Sequence, residues 1–199
     1  MRLRPIEKKY EVKLVFDTAI QLDNEQSNKF DDLFFNMEKQ KSNVKDCLVY
    51  LSDKNEIAIF KEGLDFKGED IISFIIWLDK CAKILEIDLD NQKNPIIIDC
   101  LTHYNIDETS SIASQLSVLT QFVQQINGTR IMGIKYLDYL TEDDRYNSII
   151  VELDIDPKYF ITNTRIYTTF DKIDANVELL HDYLKKNFED KVFEEDNRK

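Results

Sequence analysis

Two aspartates stand two apart in Leu153-Asp154-Ile155-Asp156-Pro157. On a strand, residues i and i+2 share a face, and neighbouring carboxylates can hold Mg²⁺ for phosphoryl transfer. Asp154 and Asp156 are therefore the candidate metal ligands. Pro157 marks a strand end, where acids commonly serve turns and caps, and the pattern favours that plainer role. Cys100-x-x-His103, with Asp99 and Asp107 nearby, has donors of the right type for a metal. A zinc site needs a second Cys/His pair, and the sequence has none. Cys100 therefore reads as a buried strand thiol and His103 as a residue of the following loop. His181 lies between the apolar positions Leu180 and Leu184 and reads as a partly buried helix histidine that bonds locally. Glu11-Val12-Lys13 repeats the E-x-K of some nucleases, without an upstream strand to carry the usual aspartate.

Phosphate loops are excluded more sharply. Gly63-x₄-Gly68 and Gly128-x₄-Gly133 have the spacing of a P-loop, which then requires Lys and Ser or Thr. Glu69-Asp70 and Ile134-Lys135 follow instead. Neither G-x-G-x-x-G nor G-x-S-x-G occurs. The sequence thus assembles no catalytic set, and no catalytic residue or cofactor is expected.

The 199 residues carry 26 Lys plus Arg against 38 Asp plus Glu, a formal charge of −12. That opposes nonspecific binding to nucleic acid or anionic membrane, which needs clustered cations. The excess is uneven, because residues 1–13 hold more basic than acidic groups. With 43% hydrophobic residues and only four Gly and three Pro, the chain can build a core and has no linker-like stretch. It reads as a single α+β domain over 1–199, with possible halves at 1–104 and 105–199. Three cysteines without C-x-x-C spacing read as buried free thiols in a reducing, cytoplasmic setting. The longest apolar stretch, near Ile71–Leu78, is too short to span a bilayer.

These residues must be positioned by regular elements. Tyr10–Ala19 predicts a strand with Val12, Leu14 and Phe16 alternating. Asp23–Gln40 predicts a helix opened by an Asp23/Gln26 capping box, with Phe30, Leu33, Phe34 and Met37 as its stripe. Cys47–Leu51 and Ile57–Phe60 predict a hairpin about the polar turn 52–56. A Gly63–Gly68 loop follows, then a very apolar helix over Asp70–Ile87, buried on a sheet or at a subunit interface. Ile96–Leu101 closes a β-α-β-β-α-β order, which is ferredoxin-like. RNA-binding domains share that order but carry stacking aromatics on their central strands, and Glu56–Phe60 lacks them. The second half predicts α-β-β-β-α: a helix over Thr109–Ile126, strands at Arg130–Tyr139, Ser148–Asp154 and Tyr159–Thr169, and a helix over Ile173–Lys191. The fold class is α+β, an antiparallel-rich sheet with helices packed on it.

Arg130-Ile131-Met132-Gly133-Ile134-Lys135-Tyr136-Leu137-Asp138 resembles an R-x-G-L-R-Y-x-N strand motif, with Lys135 for Arg and Asp138 for Asn. Leu180-His181 followed by Phe188 resembles an L-H-x₆-F helix, and Pro5-Ile6 leads into Glu11-Val12-Lys13-Leu14 in keeping with both. Together these stretches resemble a sporadically distributed family of uncharacterised prokaryotic α+β proteins. The resemblance implies no activity; its patchy distribution implies a mobile-element, phage or defence setting. The sequence-level expectation is a non-catalytic protein-interaction module with a protein partner or a second copy as its ligand. A metal-dependent phosphoryl-transfer enzyme or nuclease and a small-molecule-sensing domain are the alternatives.

Overall fold

The computed structural model describes residues 4–41, 47–105, 133–139, 148–155 and 159–190. Their order is β1 (Arg4–Val15), α1 (Asn24–Leu33), β2 (Glu38–Gln40), β3 (Cys47–Leu51), β4 (Asn55–Phe60), β5 (Gly63–Gly68), α2 (Ile71–Ile84), β6 (Ile96–Asn105), β7 (Gly133–Tyr139), β8 (Ser148–Ile155), β9 (Tyr159–Thr168) and α3 (Ile173–Leu184). The nine strands form one sheet in the order β2-β3-β4-β5-β1-β6-β9-β8-β7. Every neighbouring pair is antiparallel. The chain is α+β, and strands from both halves share the sheet. β5 and β6 both run against β1 and so are parallel to each other, with α2 as the crossover between them.

The ferredoxin-like order needs two corrections. The Gly63–Gly68 segment is not a loop but β5, inserted between β4 and β1. Leu64 and Phe66 point into the core while Asp65 and Lys67 face the other way, a period-two pattern hidden by its short length and flanking glycines. Glycine is required at both ends by close approach. A Cβ on Gly63 would press into the Leu14 carbonyl, and one on Gly68 into the Lys54 carbonyl and the Asn55 side chain. The second correction is that the first helix stops at Leu33 rather than running to Gln40. The Asp23/Gln26 capping box forms as the spacing requires. Beyond Phe34, however, Glu38–Gln40 pairs with Leu51–Val49 as an edge strand, so sheet pairing overrides helical propensity there. β1 also begins at Arg4, earlier than its alternation suggests, because Arg4–Lys9 pairs with the far end of β6. The anticipated helix over Thr109–Ile126 lies outside the described residues.

All three described α-helices pack on one face of the sheet. α2 turns Phe74, Leu78 and Cys81 onto Val12, Leu64 and Phe66, with Phe74 stacked on Phe66 at 6.1 Å. α1 adds Phe30 and Phe34, the latter against Tyr50 and Trp77. α3 adds Val177, Leu180 and Leu184 beside Ile166 and Tyr104. A π-helical turn, Lys185–Glu189, follows α3 and sets Phe188 against the Tyr104 ring. Each fully buried Phe or Leu contributes roughly 1.5–3 kcal/mol, so this face holds the fold together. No described helix packs on the opposite face, where the strands present charged residues.

Candidate functional site

The alternation that buries Tyr10, Val12 and Leu14 turns Glu7, Lys9, Glu11 and Lys13 to the opposite face. The strands beside β1 continue that polar layer. Sheet register sets Glu56, Lys67, Glu11, Asp99 and Arg165 opposite one another in turn across β4, β5, β1, β6 and β9. Arg165 grips Asp99 through Nε at 2.6 Å and a terminal nitrogen at 2.8 Å. That carboxylate raises the guanidinium pKa above its usual range. Burial pulls the Glu11 carboxyl upward, but hydrogen bonds from Lys13 and Lys67 outweigh it and leave its pKa lowered. Asp65 goes the other way: burial first, and Glu11 second, push it up to about 6 against the opposing pull of Lys67 and Lys13. One Asp65 oxygen is buried without a hydrogen-bond partner.

Between the rungs lies a concavity of about 320 Å³, lined on the open face by Lys9, Glu11, Lys67, Asp99, Leu101 and Arg165. Its charges are layered. The cations stand at the rim, with Lys9 53%, Lys67 45% and Arg165 38% exposed, over carboxylates that are 25% (Glu11) and 9% (Asp99) exposed. Each rim cation is paired: Lys9 with Glu7, Lys67 with Glu11 and Asp65, and Arg165 with Asp99.

A second polar cluster sits beneath α3. Tyr10 and His181 share a hydrogen bond of 2.9 Å between the phenol oxygen and Nε2, and Lys8 pairs with Glu189 at 2.7 Å. Burial, then the charge of Lys8, holds the His181 pKa below the ordinary histidine value. Burial raises the pKa of Tyr10, Cys81 and Cys100. At neutral pH these groups are a neutral imidazole, a phenol and thiols, locked to one another or to apolar surroundings.

The structure separates Cys100 from His103. Cys100 faces the core, while His103 lies on β6 rather than in a loop and meets Glu7 on the open face at 3.4 Å. Three residues apart on one strand, the two point to opposite faces. His181 is the half-buried helix histidine that its position requires, but its hydrogen bond is not local: its partner is Tyr10 of β1. Cys81 and Cys100 are buried, whereas Cys47 is half-buried. Asp154 is the penultimate residue of β8, opposite Gly133 and Ile161; Asp156 lies outside the described residues. Among the described residues no three His, Cys, Asp or Glu side chains gather as a metal site would require. Glu11 and Lys13 do share a face, and β5, downstream in sequence, supplies the neighbouring acid Asp65. There, however, Lys13 binds Glu11 at 2.7 Å, and Lys67 lies 3.2 Å from Glu11 and 3.4 Å from Asp65. Two ammonium groups thus occupy the space and charge that a divalent cation would need.

Sequence reasoning did not assemble the groove. The signal was the alternation Glu7, Lys9, Glu11, Lys13 in β1, which marks one charged sheet face; Lys67 and Arg165 join it only through pairing. No protein-family model matches the chain, and no curated protein matches it significantly. No helix among the described residues is long and apolar enough to cross a membrane.

Proposed function

We propose that the protein is a non-catalytic protein-interaction module that associates with a second copy of itself through the outer side of α2. The observation that carries this reading is the pair Ile72 and Ile76, which lie one turn apart and are 67% and 48% exposed. Apolar side chains at i and i+4 on a solvent-facing stripe are the anchors of helix-to-helix contact. The same stripe is acidic at its start, with Glu69 just before the Asp70 cap, and basic at its end, with Lys80 and Lys83. Two copies laid antiparallel about Ile76 set Ile76 against Ile76 and Glu69 against Lys83 twice, as two-fold symmetry demands. The ion pairs these groups now make, Glu69 with Lys54 and Lys83 with Asp79, are exposed and therefore weak enough to exchange.

The buried, neutral Cys81 and Cys100 and the half-buried His181 fit this reading, since among the described residues none of these three is an activated nucleophile or base in a cleft. Sedimentation equilibrium tests the reading. Wild-type chain is expected to dimerise and Ile72→Glu/Ile76→Glu to remain monomeric with an unchanged circular dichroism spectrum. A wild-type monomer at all concentrations refutes it. A second reading, a small-molecule-sensing domain, is favoured by the groove on the other side of the sheet.

A further inference from the structure

The three described α-helices differ on their solvent sides. α1 pairs Glu25 with Lys29 at 2.7 Å, and α2 pairs Asp79 with Lys83 at 2.6 Å, in both cases one turn on. Opposite charges at that spacing support an exposed helix. α3 instead repeats acid upon acid at the same interval: Asp174, Glu178 and Asp182. All three are exposed, and none makes an ion pair or a side-chain hydrogen bond with a described residue. Like charges one turn apart oppose the helix that carries them. Asp174 is favoured by the positive end of the helix dipole, but Asp182 lies at the negative end. The residue of basic type in that last turn is His181, which is uncharged at neutral pH.

An apolar seam runs beside this ridge. Ala175 and Leu179, also one turn apart, are exposed on the same outer side, Leu179 by 38%. Helical period sets the two next to the acids and away from Val177 and Leu180, which face the core. Successive carboxylates rise about 6 Å along the axis, so they form a line of charge along one helix. Nucleic acid would bring phosphates to carboxylates. A second copy would bring the same ridge on a chain of net charge −12. What complements a line of unpaired acids flanked by an apolar seam is a helix with basic residues beside an apolar stripe.

We infer that the outer face of α3 docks a basic amphipathic helix of a partner protein, its Lys and Arg over Asp174, Glu178 and Asp182 and its apolar side chains over Ala175 and Leu179. The inference rests on the reading of the chain as an interaction module but on no residue of the α2 contact, so it survives if the chain proves monomeric.

Fluorescence anisotropy of the full chain with a labelled helical peptide of Ala, Leu and Lys, Leu along one face, tests it at about 0.15 M salt. The peptide is expected to bind saturably. A peptide of the same composition with Leu scattered around the helix carries the same charge and should bind at least roughly tenfold more weakly. Asp174→Asn/Glu178→Gln/Asp182→Asn should also weaken binding at least roughly tenfold with an unchanged circular dichroism spectrum. Asp32→Asn/Glu38→Gln/Asp53→Asn removes the same charge from exposed positions around β2 and β3, at the sheet edge far from α3, and should change binding less than roughly twofold. Ile72→Glu/Ile76→Glu should bind no more weakly than wild type. No saturation by about 100 μM, equal binding of the scattered peptide, equal effects of the two triple variants, or loss of binding in Ile72→Glu/Ile76→Glu would each overturn the inference.

Discussion

Asp65 offers a sharp test of the electrostatics on the open face. Its carboxyl is pushed from 3.8 to about 6, mainly by burial and then by Glu11, so the folded state carries the ionised form under protest above that pH. The shift of roughly two units corresponds to at most about 3 kcal/mol. That value already includes the pull of Lys67 and Lys13, and residual solvent screens the group further, so about 1–2 kcal/mol is the expected penalty at pH 7. The sign follows from linkage. Because the folded pKa lies above the unfolded one, the favourable state of Asp65 is fully present below about pH 4 and lost as pH rises through about 6. Asp65→Asn removes the charge and keeps the shape. Urea denaturation at a series of pH values is therefore expected to show the variant more stable than wild type at pH 7. That advantage should shrink between about pH 6 and pH 4 and vanish below. An Asn variant less stable than wild type at pH 7, or an advantage of equal size at pH 4 and pH 7, would refute the reasoning.

Three further outcomes follow. Arg165→Met strands the nearly buried Asp99 carboxylate and should cost about 2–3 kcal/mol, whereas Asp99→Asn leaves only a half-exposed guanidinium and should cost about 1 kcal/mol; urea midpoints measure the asymmetry. Burial and Lys8 hold the His181 pKa down, so stability is full above the unfolded histidine value of about 6.5. It should fall as pH drops below that value, and His181→Gln should flatten the dependence in thermal melts. Gly68 has φ 154° and no room for a Cβ, so Gly68→Ala should destabilise by about 2 kcal/mol or more, against little change for Lys61→Ala at an exposed turn.

Much of the helix-side layer was legible from period and cap alone. Asp23 and Gln26 close the capping box, and Phe30 and Phe34 reach the core as their spacing requires. The hairpin about Ser52–Asn55 forms with the Ser52 amide donating to the Asn55 carbonyl at 2.8 Å. What escaped were elements specified by their neighbours. Gly63–Gly68 is a strand because β1 and β4 flank it on both sides, which no local pattern of six residues announces. Glu38–Gln40 leaves the helix for the same reason. The candidate site was harder still, since its members come from β1, β5, β6 and β9 and meet only through register. Glu11 and Lys13 were visible as a pair; their partners Asp65 and Lys67 are more than fifty residues away in the chain. The half-burial of His181 was legible from its place between Leu180 and Leu184, but its chemistry was not, because its partners Tyr10 and Lys8 come from β1 at the other end of the chain.

The central claim is that α2 meets a second copy of itself antiparallel about Ile76. A charge exchange measures this directly by sedimentation equilibrium on four proteins: wild type, Glu69→Lys, Lys83→Glu and the double variant. Each single change places like charges face to face at both ends of the symmetric contact and should weaken the dimer roughly tenfold or more, while the double change restores the pairing and the affinity. Equal dimerisation in all four, or a double variant weaker than either single one, would contradict the account.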